Sequence, residues 1–296
     1  MNRRQFISRS AALLAAGSIV GCQSGNAKNK GRVGLQLYSV RKQLPDDVAG
    51  TLQKISEMGY SQVELYGVND GKFFGHSMED TRKMINDLGM SISSTHTGSG
   101  ILPEDTSAPE WDFWKRIAGY LNTCGAEWAV ASSLPGEMNT LDDLKLICAH
   151  FNRVGEVCKK EGVKFAFHNH TDVFGKIEDE VALDYMINNT EPNLVFFQMD
   201  MGHTVNGGGD CVYYIRNYPG RIPMWHASDF DLENSDLENR IYTWLGKGSV
   251  PYPALFELAN ASGLEVLTVE QETEVDTLAA CKADFDYIKQ FKWTQV

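Results

Sequence analysis

From residue 32 onward, short apolar segments alternate with longer segments whose apolar residues recur every three or four positions. The first pattern is typical of buried strands and the second of amphipathic helices. Gly59 and Gly89 each follow a helical segment, at the place where a helix commonly ends. The predicted strands are RVGLQLYSV (32–40), SQVELYG (61–67), MSISSTH (90–96), AEWAVAS (126–132), VKFAFHNH (163–170), NLVFFQMD (193–200), RIPMWHAS (221–228) and LEVLTVEQE (264–272).

Each predicted strand is followed by a predicted helix, which makes eight β-then-α units. Strands that alternate with helices favour a parallel sheet, and eight units of this length favour a closed barrel. We therefore predict an α/β fold, a single-domain (β/α)8 TIM barrel over residues 32–296. An open doubly wound sheet is the alternative. Its dinucleotide-binding form is disfavoured because no G-x-G-x-x-G motif follows the first strand.

The first 22 residues have the pattern of an export signal. Arg3 and Arg4 precede the apolar stretch AALLAAGSIVG, which is too short to cross a bilayer as a helix. The arginine pair resembles a twin-arginine signal, and IVGC resembles a lipobox in which Cys22 becomes the lipidated residue. We expect an exported, periplasmic protein that contacts a membrane only through the lipid on Cys22, with residues 23–31 as a polar tether. An ordinary signal peptide cleaved elsewhere is the alternative.

The composition is that of a globular protein, with 43% hydrophobic and 22% charged residues and a net charge of −12. This negative charge opposes binding to nucleic acids, whose phosphates attract basic surfaces. Beyond Cys22 there are five cysteines and no CxxC pair, so we expect neither a disulfide framework nor a structural zinc. Four of them lie in helical segments and are expected to be small buried residues: Cys124, Cys148, Cys158 and Cys281.

Polar and ionisable side chains collect at the carboxyl ends of the predicted strands. In a (β/α)8 barrel these ends meet at one mouth, where active sites lie. In strand order the ends carry Gln36 and Tyr38, Glu64, His96, Ser132 and Ser133, His168 and His170, Asp200 and His203, His226, and Glu270 and Glu272. Five of the seven histidines are in this set, and core packing does not explain such a concentration.

Four of these side chains come from four consecutive strands and predict a metal site: His168, Asp200, His226 and Glu270. Mixed nitrogen and oxygen donors suit one divalent ion, Mn2+ or Zn2+ first, with Co2+ or Fe2+ as further options. Four protein ligands leave positions open for a chelating substrate. His168 and His170 share a strand face, so the sequence leaves open which of the two is the ligand.

The stretches GLQLYSVRKQL, GYSQVELYG, FHNH, QMDMGH, WHASDF and VEQE together resemble the xylose isomerase-like barrel superfamily, also called the sugar phosphate isomerase/epimerase family. The resemblance covers about residues 33–290 and implies one divalent metal on strands five to eight. Asp200, His226 and Glu270 match three ligand positions, and His203 matches a histidine near the substrate. His168 stands where ketose 3-epimerases of the superfamily have a glutamate. The sequence HNH at residues 168–170 instead resembles that of inosose dehydratase-like and 3-keto-glycoside-processing members.

The implied chemistry is proton abstraction next to the carbonyl group of a sugar, through an enediolate that the metal stabilises. Glu270 is the first choice for the base. Reprotonation on the opposite face gives an epimerase, reprotonation on the neighbouring carbon an isomerase, and loss of a β-leaving group a dehydratase or lyase. The residues expected in catalysis are Glu270, His203, Glu64 and His170, with His96 as a further choice, and those expected at the substrate are Gln36, Tyr38, His96, Trp225 and Asp229.

The expected partner is a neutral sugar or keto-sugar rather than a phosphorylated one. Barrel phosphate sites usually lie in the loops after strands seven and eight, and the loop DFDLENSDLEN after strand seven carries five acids. A homo-oligomer is compatible with the sequence. The alternatives are a non-catalytic sugar-binding envelope lipoprotein, a catalytically inactive barrel, and an endonuclease IV-like repair enzyme, which the negative charge and the export signal disfavour.

Overall fold

The computed structural model describes residues 31–234, 241–273 and 276–294. Eight parallel strands close into a barrel in which the first strand pairs with both the second and the last. The strands are β1 (Val33–Gln36), β2 (Gln62–Tyr66), β3 (Ser91–Thr97), β4 (Trp128–Ala131), β5 (Lys164–His168), β6 (Val195–Asp200), β7 (Met224–Ala227) and β8 (Val266–Val269). The predicted (β/α)8 barrel is confirmed.

Helices cover the outside of the barrel. They are α1 (Val48–Met58), α2 (Met78–Asp87), α3 (Asp112–Cys124), α4 (Leu141–Lys160), α5 (Ala182–Asn188), α6 (Met201–Asn206), α7 (Cys211–Asn217), α8 (Tyr252–Ser262) and α9 (Thr277–Ile288). The short helix α6 was not predicted. It begins directly after β6 because the Asp200 carboxylate accepts the N–H of His203 at 2.6 Å and caps its first turn.

The first strand is shorter than predicted. It ends at Gln36, and Leu37–Val40 form a 3-10 helix instead. The side chain of Gln36 accepts the N–H of Tyr38 at 3.1 Å, which turns the backbone away from the sheet. Two-stranded hairpins in the loops after β2, β5 and β7 pair Lys72–Phe73 with His76–Ser77, Lys176–Ile177 with Glu180–Val181, and Asp229–Phe230 with Tyr242–Thr243.

Alternate residues of each strand face opposite sides of the barrel wall, as strand geometry requires. The barrel interior below the mouth is filled by an apolar cluster of Trp128, Val130, Ala166, Met224 and Val266, with Phe196 packed against it. The residues between them on each strand pack outward against the helices. The strands β5 to β8 therefore present an apolar side chain deep in the interior and polar ones nearer the mouth.

The predicted export signal, with Cys22, lies outside the described residues, as does the tether up to residue 30. Gly31 already belongs to the barrel, since its N–H donates to the carbonyl of Trp293 at 3.0 Å. The five cysteines of the described chain are free and buried, which confirms the prediction for the four in helical segments. In the described ranges, no helix combines the length and the apolar character needed to cross a bilayer.

Candidate metal centre and active site

Four side chains converge at the carboxyl end of the barrel: His168, Asp200, His226 and Glu270. One nitrogen or oxygen atom of each lies within 4.8 Å of the corresponding atoms of the other three, and all four residues are buried. Strand register explains the convergence, because Asp200 lies opposite His226 across β6 and β7. Glu270 follows β8 directly and is held there by its N–H, which donates to the carbonyl of Ala227 at 2.9 Å. The structure thus brings together the four predicted ligands.

Asp200 offers a carboxylate oxygen to a cation. Its Oδ1 accepts the N–H of His203 and the hydroxyl of Ser228, both at 2.6 Å. Its Oδ2 is buried and has no hydrogen-bond partner among the described residues. Burial, and then the charge of Glu270, raise the pKa of Asp200 to about 6. A buried, unpaired carboxylate oxygen is costly, and a bound cation would satisfy it.

The ring of His226 lies between two carboxylates. Its Nε2 is 2.5 Å from Oε1 of Glu64, and its Nδ1 is 2.9 Å from Oε2 of Glu270. Burial by itself would lower the pKa of His226, but the Glu64 charge and the bond to Glu270 outweigh it and raise this pKa to about 10. If Nε2 keeps its proton and donates it to Glu64, the ring binds a metal by losing the proton on Nδ1. The Nδ1 lone pair then lies beside Glu270, where a metal would bind.

His168 is oriented by Gln198, which lies two residues before Asp200 on the same strand face. The Gln198 amide donates Nε2–H to Glu64 at 2.8 Å, so its Oε1 is the atom that accepts from His168 Nδ1 at 3.1 Å. Burial, and then the neighbouring charge of His226, hold the pKa of His168 well below its ordinary value. His168 is therefore a neutral imidazole whose free Nε2 can bind a metal.

His170, the other histidine of the HNH stretch, stands beside this centre. Its ring lies 4.9 Å from that of His168 and 4.9 Å from that of His203, centroid to centroid. It lines the cavity at the mouth. Burial, and then the charge of His203, lower the pKa of His170. The structure groups His168 with the other three candidate ligands, whereas His170 lies outside that group on the cavity wall.

A second group of three histidines also has ring nitrogens within 4.8 Å of one another: His96, His168 and His226. His96 Nε2 lies 2.8 Å from Gln198 Oε1 and 3.1 Å from Glu64 Oε1, so this nitrogen is already engaged. The four-residue group has the unpaired Asp200 oxygen and is the better cation site.

Glu64 lies below the metal centre and is fully buried. Its two carboxylate oxygens accept hydrogen bonds from Gln36, Ser94, Gln198 and His226. Burial would raise its pKa, but the facing His96 and His226 hold the pKa well below its ordinary value. Glu64 and Gln36, predicted for catalysis and for substrate contact, are thus placed in the layer that supports His226, because their positions on β2 and β1 are too deep to reach the cavity.

The cavity above the centre has a volume of about 440 Å3. As far as the chain is described, it is lined by Tyr38, Tyr66, Gly67, His96, Thr97, Ser132, His168, His170, Glu270 and Glu272. The Glu272 carboxylate accepts the hydroxyl of Tyr242 at 3.1 Å and lies 3.6 Å from Arg41. Burial, and then the charge of Glu270, raise the pKa of Glu272. Burial would also raise the pKa of Glu270, but the hydrogen bond from His226 outweighs it and lowers this pKa, so the cavity holds two carboxyl groups of different acidity.

His203, predicted for catalysis, lies behind His170. Its Nδ1 is 2.9 Å from the hydroxyl of Thr171, and its Nε2 is 3.0 Å from the hydroxyl of Tyr242. The hydroxyl of Tyr242 donates its own hydrogen bond to Glu272. A chain of polar contacts therefore runs from Thr171 through His203 and Tyr242 to the cavity wall.

Two residues predicted at the substrate are placed elsewhere. Trp225 precedes His226 on β7 and must face the opposite side of the wall, where its ring packs 6.0 Å from that of Phe256 in α8. The Asp229 carboxylate accepts backbone N–H groups of Phe230, Gly246, Gly248 and Val250. Neither Trp225 nor Asp229 is therefore among the described residues that line the cavity, because one faces the helices and the other is buried beneath a loop.

The sequence reasoning missed Gln198 and gave no role to Glu272. Both were recoverable from strand periodicity, since Gln198 lies two residues before Asp200 and Glu272 two residues after Glu270. Ser94 and Tyr242 had no comparable signal. They reach the site through a register shift between β2 and β3 and through the hairpin after β7.

The fold and the site define a TIM-barrel protein with a buried His/Asp/Glu ligand group at its mouth. Residues 52–293 match the family described as xylose isomerase-like TIM barrel, and the chain belongs to this family. The family predicted from the sequence motifs is thus confirmed.

Among curated relatives, the inosose dehydratase of Geobacillus kaustophilus is 25% identical over 206 residues, which are 64% of this chain and 64% of that one. A sugar phosphate isomerase/epimerase from Parabacteroides distasonis has a crystal structure with a TM-score of 0.78, 28% identity, and coverage of 88% of this chain and 98% of that chain. The IOLI protein, crystallised with a zinc atom, shares the fold at a TM-score of 0.68 and 14% identity, over 88% of this chain and 99% of that chain. The curated relative and the Parabacteroides structure support the predicted class, a sugar isomerase/epimerase-like enzyme with a dehydratase as its close variant.

Proposed function

We propose that this protein is a divalent-metal-dependent enzyme that moves a proton next to the carbonyl group of a non-phosphorylated sugar or keto-sugar. The reaction is an isomerisation or epimerisation, with dehydration or lyase cleavage as the close variant. The observation that carries the proposal is the convergence of His168, Asp200, His226 and Glu270 around the unpaired Oδ2 of Asp200, at the floor of a sugar-sized cavity.

The donor set fits one divalent ion. Nε2 of His168, Nδ1 of His226 and the carboxylates of Asp200 and Glu270 would hold it, and mixed nitrogen and oxygen donors suit Mn2+ or Zn2+. The zinc in the related barrel supports this choice of ion. When bound, such an ion supplies a Lewis acid that polarises a substrate carbonyl and its neighbouring hydroxyl. Glu64 and Gln198 keep the two histidines turned toward it.

The proton transfers fall to groups that face the cavity. The bond from His226 keeps the pKa of Glu270 below its ordinary value despite burial, so Glu270 is ionised and able to accept a proton. The lowered pKa of His170 makes it a neutral imidazole that can accept or donate. Glu272, whose pKa is raised, is suited to deliver a proton to the substrate, including to a departing hydroxyl in a dehydration.

The substrate class rests on Asp229. In this barrel the backbone N–H groups of Gly246, Gly248 and Val250, in the loop after β7, already surround the Asp229 carboxylate at 3.0–3.2 Å. A phosphate would need N–H groups of this kind at this end of the barrel. Because the protein's own carboxylate holds them, we favour a neutral substrate over a sugar phosphate.

The dehydratase variant is supported by the curated relatives, which are inosose dehydratases, and by His168 in place of an acidic ligand. In such a reaction a carboxylate removes the proton next to the carbonyl, and a second acidic group protonates the hydroxyl that leaves from the β-carbon. Glu270 and Glu272 both line the cavity and meet this requirement.

The test combines metal content with hydrogen exchange. Elemental mass spectrometry of the purified protein should find about one Mn, Zn, Co or Fe per chain, lost in His168→Ala and kept in His170→Ala. Keto-sugars and inososes incubated with the loaded protein in D2O should gain deuterium next to the carbonyl, seen by NMR. Sugar binding without exchange and without metal, even after reconstitution, would favour the non-catalytic sugar-binding lipoprotein.

We also propose that the chain is exported and anchored through Cys22, on the strength of the signal-like first 22 residues. Labelling with an alkyne fatty acid in a bacterial host should mark the wild-type protein and not Cys22→Ala. An unlabelled wild-type protein that appears in the soluble periplasmic fraction would favour an ordinary cleaved signal instead.

A further inference from the structure

An aromatic shelf leads away from the cavity at the barrel mouth. It consists of Tyr38, Tyr66, Phe73 and Phe74. The ring of Tyr66 is 5.2 Å from that of Tyr38 and 5.9 Å from that of Phe74, and the Phe73 and Phe74 rings are 4.9 Å apart. Phe73 is fully buried and anchors the hairpin after β2, whereas Tyr38 and Phe74 are more than a third exposed.

The shelf is continuous with the proposed catalytic cavity. Tyr38, Tyr66 and Gly67 line that cavity, and Gly67 also lines a neighbouring groove of about 530 Å3. The other walls of this groove are Asn69, Asp70, Lys72, Phe74 and Gly75. An open groove thus begins at the rim of the cavity and carries one aromatic ring together with amide, carboxylate and ammonium groups.

The backbone holds Phe74 outward at a cost. Phe74 has a φ of 46°, in the left-handed region that a bulky side chain rarely adopts. Phe74 and Gly75, with a φ of 85°, form the two-residue turn of this hairpin, and such a turn requires a positive φ at both positions. Glycine, asparagine and aspartate are the usual residues there, so a phenylalanine at the tip, more than a third exposed, is an unusual choice.

We infer that this groove binds a second sugar ring, linked to the ring that occupies the cavity, so that the substrate is a glycoside of at least two rings. The inference rests on the proposed function and narrows its substrate class. Aromatic faces stack on the C–H faces of sugars, as they do on other apolar surfaces. Asn69, Asp70 and Lys72 supply donors and acceptors for hydroxyl groups.

The chemistry of the groove favours a sugar over other occupants. One aromatic face with polar groups around it suits a ring that has an apolar face and a hydroxylated edge. A protein partner would require a larger apolar surface than this short hairpin offers. A single Lys beside a single Asp leaves the groove without a strong charge of either sign, so an anionic lipid surface is disfavoured.

Ligand-observed NMR titration of the metal-loaded full-length protein tests the inference with four probes: D-glucose, maltose, cellobiose and sucrose. We expect at least one disaccharide to bind tenfold or more tightly than D-glucose. Phe74→Asn should bring the ratio of the two dissociation constants to about 1, since asparagine tolerates the left-handed backbone and removes only the ring. Phe74→Tyr should restore the ratio, and Tyr213→Ala, an exposed aromatic residue on α7, should leave it unchanged.

Two results would overturn the inference. The first is that no disaccharide binds more tightly than D-glucose. The second is a ratio that survives Phe74→Asn or that Phe74→Tyr fails to restore. The proposed function is judged separately, by metal content and by deuterium exchange in D2O. A protein without metal or exchange that still prefers a disaccharide through Phe74 would refute the enzyme proposal and keep the binding groove.

Discussion

Nε2 of His226 lies 2.5 Å from Oε1 of Glu64, and this contact fixes which nitrogen of the ring faces the candidate metal centre. Gln198 does the same for His168, through a bond of 3.1 Å to its Nδ1. The two supports are joined, because Gln198 also donates to Glu64 at 2.8 Å. The orientation of both candidate histidine ligands is therefore set by buried residues that do not line the described cavity wall.

Replacing Glu64 with Gln should weaken metal binding without removing a ligand. The variant keeps the shape of the side chain but loses the charge that pairs with His226, and its amide N–H groups would oppose donors from Gln36 and Ser94. Loss of a residue that hydrogen-bonds a metal-binding histidine typically lowers metal affinity by about 10–100-fold. Competition with a chromophoric chelator for Zn2+ measures the effect.

Glu127→Gln is the matched control, because Glu127 is an exposed acid at the opposite end of the barrel, 3.8 Å from Lys164. It should bind Zn2+ as the wild type does. Equal affinities for Glu64→Gln and the wild type would show that the contact between Glu64 and His226 does not support the metal.

Metal binding should release protons and weaken as the pH falls. The pKa of His226 is raised to about 10 in the metal-free chain, so its ring is protonated at pH 7 and must lose one proton to bind a metal. Below a pH of about 6 the Asp200 carboxylate is protonated as well, so a metal must then displace two protons. The apparent Kd should therefore rise about tenfold per pH unit between pH 9 and 7, and more steeply below pH 6.

Calorimetry at pH 7.5 in two buffers of different ionisation enthalpy gives the number of protons released. We expect about one proton per metal ion. The raised pKa of His226 also stabilises the metal-free fold: that contribution is complete below pH 6.5 and is lost as the pH rises through 10. Two results would contradict a protonated His226 ring between Glu64 and Glu270. One is metal binding without proton release, and the other is a metal-free protein equally stable at pH 7 and pH 10.5.

Asp229→Gly should destabilise the protein and create a binding site for a small carboxylate. Removing the side chain leaves the N–H groups of Gly246, Gly248 and the buried Val250 without their acceptor, at a cost of about 1–3 kcal/mol. Formate can supply the missing carboxylate and should raise the Tm of the variant by several degrees. Sodium chloride at the same ionic strength is the control, and equal shifts with both salts would contradict the role of Asp229.

Gly202→Ala should lower both stability and metal affinity. A Cβ on Gly202 would lie 2.2 Å from the hydroxyl oxygen of Ser228, which donates to Asp200. Overpacking of this kind costs about 1–3 kcal/mol, and the displaced serine no longer holds the ligand carboxylate. Urea unfolding and the Zn2+ titration report the two effects.

Gly119→Ala in α3 is the control for that substitution. A Cβ there meets nothing within 4 Å, so the change should stabilise the helix by about 0.5–1 kcal/mol and leave metal binding unchanged. A Gly202→Ala protein as stable as Gly119→Ala would mean that Ser228 moves aside without loss.

The order of strands and helices, and the convergence of the four candidate ligands on β5 to β8, were predictable because both follow from local periodicity. Apolar residues at two spacings define the units, and the carboxyl ends of parallel strands meet at one mouth whatever the details of packing. Neighbouring residues of a strand face opposite sides of the barrel wall. Applied consistently, this rule would have placed Trp225 outside the barrel as soon as His226 was placed inside it. The choice of His168 over His170 was open, since both share a strand face.

Depth and long-range contacts were decided only by the tertiary structure. Glu64 and Glu270 look alike in the sequence as acids at strand ends, yet one lies beneath His226 and the other lines the cavity. Their levels depend on the stagger of the strands around the closed barrel, which no local pattern encodes. Asp229 meets N–H groups up to 21 residues further along the chain, at Val250. The sequence thus determined which chemical groups reach the mouth, and the closure of the barrel decided which of them face the cavity and which hold the others in place.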